Sequence, residues 1–133
     1  MPNILEDIVA RKRREVAVAR ESVPLAVLES HVSDSPSVRD FFAAVASGPP
    51  VKLIAEFKRN SPSAGEIRPG ATVEDVLQSY AAAGASALSI LTDHAGFGGS
   101  LADLEAARAA VSLPVLRKEF VIDLYQVVEA RAH

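Results

Sequence analysis

Apolar positions recur along this chain with two different periods, and the change from one to the other falls near Pro50. Ile4, Leu5, Ile8, Val9 and Val16 return every three or four residues, the spacing that gives a helix one apolar face. Asn3 precedes this run with Glu6 three residues on, an arrangement like a capping box, so a helix is expected from Ile4 to about Arg20. Pro24 interrupts it. Leu25 to His31 reads as a short amphipathic piece, and Val38 to Ala46, entered from the Ser35–Pro36–Ser37 turn, reads as another helix. Ser47–Gly48–Pro49–Pro50 is a stop.

Beyond the stop the apolar runs shorten. Val51 to Phe57 (VKLIAEF), Ala87 to Leu91 and Val115 to Arg117 are short, apolar and bounded by Pro, Gly or Ser, the signature of buried strands. Between them, Thr72 can cap a helix from Val73 to Ala83 ending at Gly84, and Ser100 one from Leu101 to Ala110. Asp123 can cap a last helix from Leu124 onward. Strands alternating with helices imply parallel strands joined by crossovers, as in doubly wound sheets and (β/α)8 barrels. Three strands are fewer than either fold needs, and a barrel takes about 250 residues. The α/β pattern is therefore expected to be an incomplete (β/α)8 TIM barrel in one domain, residues 1–47 an N-terminal helical extension and 51–133 the first three βα units.

Composition narrows the chemistry. In 133 residues, 49% are hydrophobic and 23% charged with a formal charge of −3, as in ordinary globular proteins rather than basic nucleic-acid binders. The basic run Arg11 to Arg14 lacks interleaved aromatics and reads as a solvated helix face, so no nucleic acid is expected. No apolar run approaches the roughly 20 residues of a membrane span, and no targeting segment is visible, so no membrane partner is expected. Cysteine is absent, which excludes disulfides and thiolate chemistry and suits a reducing, cytoplasmic setting.

The charges on the strands are the candidate chemistry. Side chains alternate along a strand, so Ile54, Glu56 and Lys58 share one face while Leu53, Ala55 and Phe57 share the other. With the apolar set against helices, Glu56 and Lys58 stand at the C-terminal mouth of the strand, where barrel enzymes place catalytic groups. Beside them the hydroxyls and free N–H groups of Ser61–Pro62–Ser63–Ala64–Gly65 can hold an anion. The third strand repeats the design, with Leu116 and Lys118 on one face and Phe120 following in the same parity. The Gly-rich loop Asp93 to Gly99 also leaves a strand, and its Phe97 can stack on a ring or fold onto the core. His94 stands alone, without a second ligand at metal spacing, so no metal is expected.

Together IAEFKRNSPSAG, LSILTD with GFGGS, and PVLRKEF with VID resemble successive barrel signatures of the indole-3-glycerol-phosphate synthase family of tryptophan biosynthesis. NILEDIVARKRREV resembles its helical extension. The resemblance implies a decarboxylating lyase that uses neither metal nor organic cofactor on a phosphorylated small-molecule substrate. It implies Lys118 as general acid, Lys58 as a contact to the anionic substrate and Glu56 as the carboxylate that orients the lysines. Ser61 and Pro62 would line the site, and Phe97 and Phe120 would pack around the substrate's ring. Ala64 replaces a common Lys and Gly96 a common aromatic, while Glu119 replaces a common Asp. The family's later-strand residues and phosphate cup have no counterpart here. The other expectation is a non-catalytic half-barrel that self-associates, or accepts a C-terminal half, through open strand edges.

Overall fold

The computed structural model describes residues 3–48 and 50–133, so Pro49 of the expected stop lies outside the described residues. By packing, the chain forms two compact units, one of residues 37–119 and one of the residues up to Pro36 with 120–133.

The 37–119 unit contains helix α3 (Phe41–Ala46), strand β1 (Ile54–Phe57), the two-residue strands β2 (Asn60–Ser61) and β3 (Gly65–Glu66), and helix α4 (Val73–Ala82). Strand β4 (Ala87–Leu91), the single turn α5 (His94–Phe97), helix α6 (Leu101–Ala110) and strand β5 (Val115–Lys118) complete it. The main sheet runs β1-β4-β5 with both pairings parallel, the arrangement the alternating pattern implied. Ala55, Phe57, Leu88 and Ile90 bury one face of it against Val73 and Leu77 of α4 and Leu104 and Ala107 of α6. Helices α4 and α6 therefore cover one face, and the opposite face carries Glu56, Ser89 and Leu116 in a single row. Leu77 is fully buried in this core. Its truncation to Ala is expected to cost about 2–5 kcal/mol, read as a lowered urea midpoint with little change in slope.

The capping residues act as the sequence implied. The side chains of Thr72 and Ser100 accept from the backbone N–H of Asp75 and Asp103. Some details differ from the expectation. β1 begins at Ile54 rather than Val51, because Val51, 83% exposed, has no strand beside it and pairing starts opposite Ala87. α3 begins at Phe41 rather than Val38, because Asp40 caps it by accepting from Ala43 N–H. The Gly-rich loop contains α5, capped by Asp93, whose carboxylate accepts from Gly96 N–H. Arg39 closes the far end of α6 by donating to the carbonyl of Arg108, one that a helix leaves without a partner of its own, and to those of Val111 and Leu113 just beyond it.

The other unit packs α1 (Ile4–Ser22), α2 (Leu25–Asp34) and α7 (Leu124–Ala132) around Val16, Leu28 and Tyr125. α2 runs three residues beyond the expected His31. Asn3 caps α1 through Leu5 N–H. Tyr125 is 1% exposed, and its hydroxyl donates toward the carbonyls of Ala19 and Val23 where α1 ends. Burial, then the charge of Glu129, pushes its phenol upward from the ordinary value. Asp123 and Gln126 form a reciprocal capping box at the start of α7.

Asp123 also accepts from Arg20. The Tyr125 N–H and then Arg20 hold its carboxyl below the usual 3.8. The folded state thus binds this proton less readily than the unfolded chain. The resulting stabilisation is present above pH 3.8 and fades as pH falls through the lower folded value. Asp123→Asn keeps a capping oxygen and removes the charge. Melting curves of the two proteins are expected to differ at pH 7 and to converge toward pH 3.

Candidate functional site

The face of the sheet opposite α4 and α6 is built from the bottom row upward. Glu56 of β1 lies opposite Ser89 of β4, which lies opposite Leu116 of β5. Ser89 is buried, and its hydroxyl donates to Glu56 Oε2 at 3.0 Å. That bond fixes one carboxylate oxygen in place. Two residues up, Leu91 pairs with Lys118, and Lys58 stands one residue past the final β1–β4 pair. Lys58 and Lys118 therefore flank Leu91 at the C-terminal mouth, their backbones two strand spacings apart, about 10 Å. Glu56 and Lys118 are exposed and Lys58 half-buried, so both ammonium groups are accessible to an anion.

The register carries Glu56 and Lys118 within β1 and β5, and Lys58 lies one residue beyond β1. Ser61 and Pro62 join Glu56 and Lys58 in lining a cavity of about 1030 Å³ that also touches Val76, Ser79 and Tyr80 of α4. These α4 contacts place the cavity around the open edge of β1, so it reaches beyond the face that carries Glu56. Lys118 and Phe97 do not line it, although Ala95 and Gly96 of the Phe97 loop do. Phe97 is half-buried on α5. Phe120 falls in the three-helix unit, where its carbonyl accepts from the Gln126 side chain.

The segment after β1 is a small antiparallel hairpin, Asn60 opposite Glu66 and Ser61 opposite Gly65. The Ser61 hydroxyl accepts from Ala64 N–H and so shapes its tip. Arg59 ties the hairpin's base to α6 through two bonds to Asp103, at 3.1 and 2.6 Å. These hydrogen bonds raise the guanidinium's already high proton affinity, against a smaller opposing effect of burial. Close approach governs the neighbouring loop. A Cβ on Gly99 would lie 2.1 Å from the Leu91 carbonyl oxygen, and one on Gly98, at φ +66°, 2.7 Å from the Asn60 amide nitrogen. Gly99→Ala is expected to destabilise by about 3 kcal/mol or more, because backbone rather than a flexible side chain must yield.

Ser89, Arg59 and Asp103 escaped the sequence reading. The one available signal was Ser89 itself, a hydroxyl in the middle of the apolar run ALSIL in step with the strand's free face. Among the described residues, no group of three or more His, Cys, Asp or Glu could hold a metal ion. Among them also, no helix is long and apolar enough to cross a membrane.

Comparison with known proteins identifies the family. The family model described as "Indole-3-glycerol phosphate synthase" matches residues 5–133. Curated proteins of that name are similar over nearly the whole chain. The one from Bacteroides thetaiotaomicron is 46% identical over 131 residues, covering 98% of this chain and 50% of the relative. Those from Dechloromonas aromatica and Burkholderia multivorans are 48% and 49% identical over 136 residues, covering 99% of this chain and 52% and 51% of theirs. The chain spans about half the length of the curated relatives it matches. With the matched region running from the first helix through the strand that bears Lys118, the chain belongs to the indole-3-glycerol phosphate synthase family.

Proposed function

We propose that this chain supplies the first part of the active site of an indole-3-glycerol phosphate synthase. The reaction joins the carboxyl-bearing ring carbon of 1-(2-carboxyphenylamino)-1-deoxyribulose 5-phosphate to its ketone carbon. Carbon dioxide and then water depart, leaving indole-3-glycerol phosphate. The observation that carries the reading is the row geometry: Glu56, held by Ser89, below two lysines that flank Leu91 on the same face.

Each group has a chemical task. As the ring carbon attacks, negative charge grows on the ketone oxygen, and Lys118 donates a proton there. Lys58 holds the substrate's anionic groups from the β1 side. Two ammonium groups over one small mouth need a counter-charge, and Glu56 provides it while orienting them. Loss of carbon dioxide restores the aromatic ring. The former ketone oxygen, now a hydroxyl, then leaves as water once protonated, and a base removes the last proton. Ser61 and Pro62 line the approach, and Phe97 and Phe120 pack about the ring.

A second reading rests on the free edges of β1 and β5, which end the described sheet, and on exposed apolar side chains beside them, Ile54 at 47% and Leu116 at 45%. Such edges favour self-association or acceptance of a complementary half-barrel. One experiment separates the readings: assay the purified chain alone, then with the half of the Dechloromonas relative that it does not cover. The first reading expects indole-3-glycerol phosphate, followed by its fluorescence, when both halves are present and little from this chain alone. A stable self-associated form that ignores the added half and gives no product favours the second.

A further inference from the structure

We infer that Thr92 and Glu119 are positioning residues for Lys118, acting as a clamp on the helix side of the sheet. The inference rests on the proposed role of Lys118, but its first test does not.

Thr92 continues the core-facing parity of Leu88 and Ile90, and Arg117 shares the parity of Val115, which packs against the same core. Three bonds converge on Thr92. Its backbone N–H donates to the Lys118 carbonyl at 3.1 Å, extending the β4–β5 ladder one step beyond Leu91 and Lys118. Its hydroxyl donates to Glu119 Oε2 at 2.9 Å and accepts from Arg117 Nε at 3.0 Å. A hydroxyl has one proton to give and lone pairs to receive, and this pattern uses the proton and one lone pair. The Glu119 side chain is only 3% exposed and the Arg117 side chain 10%, with 3.8 Å between their charged groups. Water cannot readily substitute for these partners.

The clamp grips the residues on both sides of Lys118, and it does so behind the sheet. With Arg117 and Glu119 drawn to the helix side, alternation leaves Lys118 one direction, toward the face that carries Glu56. A strand end held this way keeps a proton donor within the narrow tolerance that catalysis needs. The groups of the clamp touch no substrate; they act through Lys118.

Thr92→Val removes the hydroxyl and keeps both the shape and the backbone N–H, whereas Thr92→Ser keeps the hydroxyl. The first measurement uses the chain itself, by 15N relaxation at Lys118 and Glu119. Wild type and Thr92→Ser are expected near the rigid backbone order parameter of about 0.85, and Thr92→Val below about 0.6 at these two positions, with the other strands unchanged. Unchanged order parameters in Thr92→Val overturn the clamp, as does loss of order throughout the sheet, which marks a general structural role. The second measurement uses the chain fused to the uncovered half of the Dechloromonas relative. Thr92→Val is expected to lower kcat about tenfold or more with KM nearly unchanged, and Thr92→Ser to restore it. Equal kcat values, or a loss confined to KM, count against positioning. If the wild-type fusion makes no product, the activity reading fails, and the relaxation result alone decides the clamp.

Discussion

Lys118→Met, placed in the chain fused to the uncovered half of a relative, is expected to lower kcat for indole-3-glycerol phosphate formation by about 10²–10⁴-fold, the usual contribution of a general acid. Methionine keeps an unbranched side chain of similar reach and removes the proton. Lys118 is exposed at the end of β5, so the fold has little to lose and the melting temperature should stay within a few degrees. The loss should appear in kcat and kcat/KM together, because the proton is needed where charge develops on the ketone oxygen rather than in ground-state binding. Lys118→Arg should not rescue: its charge remains, but guanidinium scarcely gives up a proton at neutral pH. A variant that retained full kcat would remove Lys118 from the chemistry.

The second large effect is expected at Glu56. Glu56→Gln keeps an oxygen for the Ser89 hydroxyl, so the 3.0 Å contact can persist while the charge disappears. Without the carboxylate, Lys58 and Lys118 lose the counter-charge of the row below, and their positions should disperse. A fall in kcat of about 10²–10³-fold is expected. The size of the effect distinguishes a working carboxylate from a surface ion pair, whose removal changes stability by about 0–1 kcal/mol and leaves turnover alone. Ser89→Ala should give a smaller loss in the same direction, since it frees one carboxylate oxygen and leaves the charge.

Much of this site was legible because alternation along a strand is a local property. Glu56 and Lys58 fall in step with Ile54, and Lys118 with Leu116, so each strand's own residues decide the face once the apolar set is assigned to the core. The helix starts at Thr72, Ser100 and Asp123 were legible for the same reason: a cap satisfies N–H groups two or three residues away. Contacts between distant residues were not. Ser89 meets Glu56 across 33 positions and Arg59 meets Asp103 across 44, and neither partner carries a local sign of the other. Register between strands decides such pairs, and register emerges only when the sheet packs. The hairpin of Asn60–Ser61 with Gly65–Glu66 was hidden too, because two-residue strands are too short to show a period. Likewise α7 was expected to close a βα unit, yet it packs with α1 and α2 through Tyr125, a choice made by tertiary burial.

Glu119 illustrates how a residue next to a recognised one can be read too lightly. From the sequence it is a conservative exchange beside Lys118. In the folded unit its carboxylate is buried, bonded to Thr92 and close to Arg117. Residues that act through another residue rarely declare themselves by type.

The most direct test of the central claim is to follow product and carbon dioxide together from 1-(2-carboxyphenylamino)-1-deoxyribulose 5-phosphate, using the chain joined to the uncovered half of the Dechloromonas relative. The account predicts equal molar amounts of indole-3-glycerol phosphate and carbon dioxide from the wild-type residues, with both falling at least a hundredfold in a folded Lys118→Met variant. Turnover undiminished in that variant, or a folded wild-type fusion that binds the substrate and releases neither product, would contradict it.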